Sequence, residues 1–184
     1  MVYSDKELID GCRKKKIRYQ EVLYNQYYSF AMSVCLRYTS SRDDALEVVN
    51  DSFMKVFRNI DQYDDTRPFK TWFRRILINT SLDQYRSNRR YLNHVDLVAD
   101  YTDNIMQPDD SGSIGDHLDA ESVLKLFDKL PEIYRLVFNL YEIEGYSHDE
   151  IAGMLDIAPG TSRSNLSRAK KMLVNLYHKQ KSEG

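Results

Sequence analysis

The sequence predicts an all-α protein, with two small helical domains joined by an acidic linker and a helix-turn-helix in the second domain. Three observations lead there. Apolar residues recur at intervals of three and four, the repeat of a helix, rather than in the alternation of a strand. Only 7 Gly and 4 Pro stand among 184 residues, with 42% hydrophobic and 29% charged, which excludes collagen-like, low-complexity and disordered chains. The formal charge of -2 also conceals a segregation. Residues 1–93 hold 17 Lys and Arg against 12 Asp and Glu, residues 94–120 hold 7 acids and no base, and residues 121–184 balance 9 against 9. An acidic stretch interrupted by Pro108, Gly112, Ser113 and Gly115 has little to bury and reads as a linker. The domains are therefore placed at 1–93 and 118–184, with the linker at 94–117. Each is close to the lower size limit for a single core.

In chain order, Leu23, Tyr27, Phe30, Ala31, Val34 and Tyr38 form one stripe, so a core-facing helix is expected from about Gln20 to Tyr38. Ser41 followed by Asp44 resembles a capping box, and Ala45, Val49, Phe53, Val56, Phe57 and Ile60 carry the stripe of a second helix. The segment from Asp61 to Arg67 has no period and ends at Pro68, a residue tolerated at a helix start because its missing donor would be unpaired there. A third helix follows, burying Phe69, Trp72, Phe73, Ile76 and Thr80. In the second domain Pro131 opens a helix with Val137, Phe138 and Tyr141 inward, and Gly145 suits its C-terminal cap. Ser147 with Glu150 repeats the capping box for a short helix to Leu155. Asp156 to Gly160 make a tight turn, and a basic helix with Leu166, Ala169, Leu173 and Leu176 inward completes a helix-turn-helix, with small Ala152 at the crossing.

The apolar runs are far shorter than the roughly 20 residues that span a membrane, and Met1 to Asp10 lack the blocks of a signal peptide, so a cytoplasmic protein with no membrane insertion is expected. Cys12 and Cys35 match no redox or zinc spacing and read as buried small hydrophobes. No metal or other cofactor is expected.

Three faces carry chemistry. The last helix presents Arg163, Ser164, Ser167, Arg168, Lys170 and Lys171, a set able to hold phosphates and read guanine edges. On the third helix Thr71, Arg75, Ile78, Leu82 and Arg89 are assigned to the face away from the core, with Arg74, Tyr85, Arg86 and Arg90 nearby. Arginine mixed with exposed apolar groups suits a surface that holds phosphates and meets unstacked bases. The second helix presents Glu47, Asp51, Met54 and Arg58 with Asp44 beside them, a mixed-charge row around an exposed Met that suits a protein partner. Asp61, Asp64 and Asp65 could be read as a metal-binding carboxylate cluster, but no histidine or fourth carboxylate stands at a supporting spacing, and no catalytic residue is assigned.

The run from Asp44 through Asn50, Asp51 and Met54 to Phe57, followed by Phe69-Lys70-Thr71-Trp72-Phe73-Arg74-Arg75-Ile76 and Asn79-x3-Asp83-x2-Arg86, resembles region 2 of bacterial sigma factors. Leu130-Pro131, Tyr146-Ser147-x2-Glu150-Ile151-Ala152, Gly160-Thr161 and Arg168-Ala169 resemble region 4. Their order, the direct linker and the short length resemble the extracytoplasmic-function group of the sigma-70 family.

The resemblance implies a dissociable, non-enzymatic promoter-specificity subunit of RNA polymerase. It implies that Asp44, Glu47, Asn50, Asp51 and Met54 meet the clamp of the largest polymerase subunit, with the flap engaged through region 4. Tyr63, Asp64, Arg67, Arg75, Asn79, Leu82, Arg86 and Arg89 would capture an unpaired base of the minus-ten element. Thr161, Arg163, Ser164, Asn165, Ser167, Arg168 and Lys171 would read the minus-thirty-five duplex. An inhibitory anti-sigma partner, soluble or membrane-anchored, is also implied. The acidic linker would pass toward the RNA exit path as an RNA mimic, or serve only as a solvated tether. Two departures stand out. Thr161-Ser162-Arg163-Ser164-Asn165 replaces the family's usual Thr-Val-Lys-Ser-Arg, which leaves duplex reading at that helix open, and Asn50 and Asp51 stand where Gln and Glu are usual. A DNA-binding regulator that does not join polymerase would carry a ligand or dimerisation module in place of the region 2 pattern.

Overall fold

The computed structural model describes residues 3–95, 126, 127 and 129–183. Its contacts divide the chain into two compact units, Met1–Tyr85 and Arg86–Gly184. The first holds α1 (Asp5–Arg13), α2 (Ile17–Cys35), α3 (Arg42–Asn59), a 3-10 turn (Ile60–Gln62) and the start of α4 (Phe69–Val95). The second holds α5 (Glu132–Phe138), a π turn (Asn139–Ile143), α6 (His148–Leu155) and α7 (Pro159–Glu183). Helix α4 continues past residue 93, so His94 and Val95 are helical and not linker. The rest of the expected 94–117 linker lies outside the described residues.

Helix α1 escapes the apolar stripes of the sequence, yet its start is written plainly. The Ser4 hydroxyl accepts from the Glu7 amide at 3.3 Å and the Glu7 carboxylate accepts from the Ser4 amide at 2.8 Å, a reciprocal box that satisfies two orphan donors. The helix buries Leu8, Ile9 and Cys12. Gly11 is obligatory, because a Cβ there would lie 2.1 Å from Cγ of Tyr19. Asp5 ties the helix to α2 by accepting from the Tyr27 hydroxyl at 2.7 Å and from Gln26 Nε2 at 2.9 Å.

Helices α2, α3 and α4 close on one aromatic cluster. Phe73 of α4 lies 4.7 Å from Phe53 of α3 and 6.3 Å from Tyr27 and from Phe30 of α2, measured between ring centroids. Phe69 adds 4.8 Å to Tyr27 and 5.6 Å to Phe73. Leu23, Ala31, Val34, Tyr38, Ala45, Val49, Val56 and Ile60 are buried around it as the sequence predicts, while Phe30, Phe57, Trp72 and Ile76 are half-buried at its margin. The α3 cap differs in detail from a capping box: Ser41 accepts from the Asp44 amide at 3.0 Å, and its hydroxyl donates to the Asp44 carboxylate at 2.6 Å. Both thiols are buried, and burial pushes Cys12 up to about 11 and Cys35 up to about 12, which leaves them protonated small hydrophobes.

In the second unit Leu126, Phe127, Leu130 and Leu173 form a core against which Phe138, Met172, Leu176 and Tyr177 pack. Pro131 occupies the cap position of α5. The π turn that follows adds a residue per turn and rotates Tyr141 out of the expected inward stripe, to 37% exposure, where it stacks on His148 at 4.5 Å. Gly145 then takes φ 78, and Asp156 ends α6 at φ 55. Both are left-handed conformations, free for Gly and tolerated by Asp.

Replacing Phe73 by Ala removes the ring shared by the three helices and should cost ~3–5 kcal/mol, a large fraction of the stability of so small a domain. Urea unfolding followed by circular dichroism checks this, and a loss no larger than that of a Phe57→Ala variant at the half-buried margin would contradict the shared-core assignment.

Candidate functional site

On α3 the exposed row is Leu46, Glu47, Asn50, Asp51, Met54 and Arg58, with Met54 50% and Leu46 37% exposed. Asp44 is half-buried and spent on the helix cap. Glu47 accepts from Gln84 Nε2 at 3.2 Å and Asn50 accepts from the Tyr24 hydroxyl at 3.0 Å. Lys55 pairs with Asp83 of α4 at 3.0 Å. The face is thus anchored at its edges to α2 and α4, with two apolar side chains in its middle. Leu46 was not among the expected contacts; its position four residues before Asn50 and eight before Met54, on the same row of the helix, was the available signal.

The loop from Tyr63 to Pro68 is braced from three sides. Asp64 accepts from the Thr66 amide at 3.0 Å and hydroxyl at 2.7 Å, and these bonds, joined by the Arg67 charge, hold its carboxyl below the usual carboxylate range. Tyr63 is no surface contact: it is 8% exposed, its hydroxyl donates to the Arg67 carbonyl, and its ring packs 5.2 Å from Trp72 and 5.6 Å from Phe69. Asp65 receives both arms of Arg13, at 2.9 and 3.1 Å, while the same guanidinium donates to the Tyr63 carbonyl at 3.1 Å. Asp65 in turn holds the Arg13 guanidinium further above its already high range. This fork binds α1 to a loop 50 residues away, and the sequence offers no spacing that would reveal it. Asp64 and Asp65 are occupied by Thr66 and Arg13, which accounts for two of the three clustered acids without a metal.

On α4 the outward row is Thr71, Arg75, Asn79 and Asp83, with Arg89 exposed further on and Arg86 half-buried. Ile78 and Leu82, assigned to that face from the sequence, are 1% and 2% exposed, so Leu82 cannot touch a ligand. The reason is the width of the buried stripe. Because α4 packs against both α2 and α3 through Phe73, its Leu77, Ile78, Ser81, Leu82 and Tyr85 flanks are all covered.

In the second unit Ser162, Asn165, Leu166 and Ala169 of α7 are all buried. His148 Nδ1 lies 2.9 Å from the Ser162 hydroxyl, a bond that joins the two helices of the motif at their start. Asn165, expected to meet DNA, is 6% exposed and is a packing residue. Thr161, Arg163, Ser164, Ser167, Arg168, Lys170 and Lys171 are exposed. Ser164 caps back onto the Thr161 carbonyl at 3.0 Å, and Lys170 pairs with Glu142 at 2.7 Å, which draws it toward the π turn. Arg163, Ser167, Arg168 and Lys171 form an exposed strip with the composition of a phosphate and base-edge reader.

The family model described as Sigma-70 region 2 matches residues 23–91, and the one described as Sigma-70, region 4 matches residues 120–173. The chain is 28% identical to the ECF RNA polymerase sigma-E factor of Haemophilus influenzae over 186 aligned positions, covering 94% of both chains. It is 27% identical to the factor of the same name in Escherichia coli, covering 94% of this chain and 93% of the other. Among solved structures, the sigma factor RpoE in complex with the anti-sigma factor NepR from Bartonella quintana superposes with a TM-score of 0.50 at 22% identity, over 86% of this chain and 96% of that one.

Arg13→Ala should free the 63–68 loop while sparing the helices. A well-formed fork on a partly exposed pair is worth ~1 kcal/mol, hence about fivefold in the population of an open loop. Limited cleavage by endoproteinase Asp-N before Asp64 or Asp65 should accelerate by about that factor, and an unchanged rate would show that the fork does not hold the loop.

Proposed function

The chain belongs to the extracytoplasmic-function group of the sigma-70 family, and on that premise we propose how its two units divide the work of directing RNA polymerase to promoters. The observation that carries the function is the pair of region matches in family order, with relatives of one function aligned along nearly the whole chain. The chain acts by binding: polymerisation chemistry belongs to the core enzyme, and this subunit selects where it begins.

The α3 face docks on the polymerase clamp. Met54 and Leu46 supply a small apolar centre ringed by Glu47, Asn50 and Asp51, the arrangement in which a few desolvated side chains carry affinity while charges set orientation. The 63–68 loop and the α4 row of Arg75, Asn79, Arg86 and Arg89 take one unpaired base of the minus-ten element. Trapping a flipped base repays the few kcal/mol of unstacking and so holds the bubble open. Pre-bracing of that loop by Tyr63, Asp64 and Arg13 lowers the ordering cost of capture. Region 4 presents Arg163 and Arg168 to base edges, with Thr161, Ser164, Ser167 and Lys171 toward phosphates. The buried Asn165 shifts the burden of reading onto the two arginines.

No described helix is long and apolar enough to cross a membrane. We place the protein in the cytoplasm, where the polymerase works, under the control of an anti-sigma partner of the kind bound to the Bartonella quintana factor.

Three measurements test the division. Reversing Glu47 and Asp51 to Lys should weaken assembly with core polymerase with helix content unchanged, since exposed positions contribute little to folding; unaltered assembly would sink the clamp assignment. Asn79→Ala with Arg86→Ala should reduce opening of duplex promoters more than transcription from a template already mismatched at the minus-ten element, and equal losses would mean general affinity in place of strand capture. Arg163→Ala and Arg168→Ala should each cost ~1–3 kcal/mol and relax preference within the minus-thirty-five element, whereas Lys171→Ala should weaken all sequences alike and lower the salt slope by about 1.

A further inference from the structure

The turn between α1 and α2 reads Lys14-Lys15-Lys16-Ile17-Arg18, and every one of these residues is exposed. It lies upstream of residue 23, where the region 2 match begins. Its backbone is fixed. The Lys16 amide donates to the Gly11 carbonyl at 3.1 Å and the Lys15 amide to the Cys12 carbonyl at 2.8 Å, the paired bonds that close a helix through a left-handed residue. That residue is Lys15, at φ 53. Glycine is the default there because any Cβ is penalised, so this turn carries a lysine at a position where glycine folds better. Strained positions of this kind concentrate where a side chain has work outside the fold.

The neighbourhood supplies the direction of that work. Arg13, the residue just before the turn, grips Asp65 and the Tyr63 carbonyl, so the three lysines begin beside the 63–68 loop. The nearby acids Asp10 and Asp65 are both engaged by Arg13, at 3.4 and 2.9 Å. Lys16 leans over the Tyr19 ring at 5.8 Å, and Lys14 and Lys15 have no ion-pair partner among the described residues. An uncompensated cationic turn next to a loop read as holding an unpaired base fits the phosphate backbone of the same strand, which flexible lysine side chains can track.

We propose that Lys14, Lys15 and Lys16, with Arg18, form a phosphate-binding shelf that grips the single-stranded DNA adjoining the base captured by the 63–68 loop. The proposal rests on the strand-capture reading given above and extends it to α1, whose fork to Asp65 keeps shelf and loop in register.

The test uses holoenzyme assembled from the full chain and core polymerase, with a fork-junction DNA whose minus-ten non-template strand is unpaired. Lys15→Gly should raise the melting temperature of the isolated chain by relieving the left-handed lysine, and yet weaken fork binding about threefold at moderate salt. Adding Lys14→Gln and Lys16→Gln should bring the loss to about tenfold and lower the salt slope by about 2, near the single-strand value for three phosphates, with assembly on core polymerase unchanged. A Lys15→Gly variant that is more stable and binds the fork with unaltered affinity and salt slope overturns the shelf. Asn79→Ala with Arg86→Ala on the same fork separates the two readings: loss there with no response from the lysines sinks the shelf alone, and loss from the lysines only supports the shelf while sinking base capture by α4. Wild-type binding to phosphatidylserine vesicles that the triple variant loses, with fork affinity intact, would assign the turn and its 79% exposed Ile17 to a lipid surface and overturn the proposal.

Discussion

The Phe73 ring, with Tyr27, Phe30, Phe53 and Phe69 between 4.7 and 6.3 Å from it, sets the phase of three helices at once. A domain this small has few ways to bury enough apolar area, and aromatic side chains, each removing the most surface, decide which way every helix turns. Once Phe53 faces inward, Glu47, Asp51 and Arg58 must face out, because they lie more than 100° round the helix from it, and Leu46, Asn50 and Met54 fall along the edge of that outward face. Once Phe69 and Phe73 face inward, Arg75 and Asn79 point to solvent. The outward faces proposed for the polymerase partner and for strand capture are consequences of one packed cluster.

Rigidity of the 63–68 loop has a different origin. Residues 64–68 bury nothing, so apolar packing cannot hold them, and their order comes from polar bonds: Asp64 to Thr66, Tyr63 to Arg67, and the Arg13 fork on Asp65. Such bonds are individually weak in water, but several closing on five residues restrict the loop more than any one would. A loop of this construction is ordered before it meets a ligand and still has every exposed edge free to meet one.

The second unit obtains its basic outward face by a similar division. Ser162, Asn165, Leu166 and Ala169 are consumed in the core of the unit, and the His148 to Ser162 bond adds a polar tie where two helices begin. What remains outward on α7 is basic. The substitution of Asn for the more usual base at position 165 makes physical sense in this light: at 6% exposure an arginine would be buried without a partner, whereas a short amide fits between helices.

Helix content, the helix starts at Ser41, Pro131 and Ser147, the buried cysteines and the identity of most core residues were legible in the sequence, because each depends on chemistry within one or two turns of the chain. The basic face of α7 was legible for the same reason. Helix α1 also had its signal in Ser4 and Glu7, passed over because its apolar stripe is only Leu8, Ile9 and Cys12. Tertiary structure alone decided the rest. Ile78 and Leu82 share an amphipathic pattern with either an exposed or a covered flank, and only the presence of both α2 and α3 beside α4 covers them. Tyr63 and Asn165 look like polar surface contacts until a ring or a second helix closes over them. The Arg13 fork joins residues 50 and 52 positions apart, a pairing that no periodicity encodes, since local spacing reports which face a residue occupies and only the folded chain reports what stands opposite it.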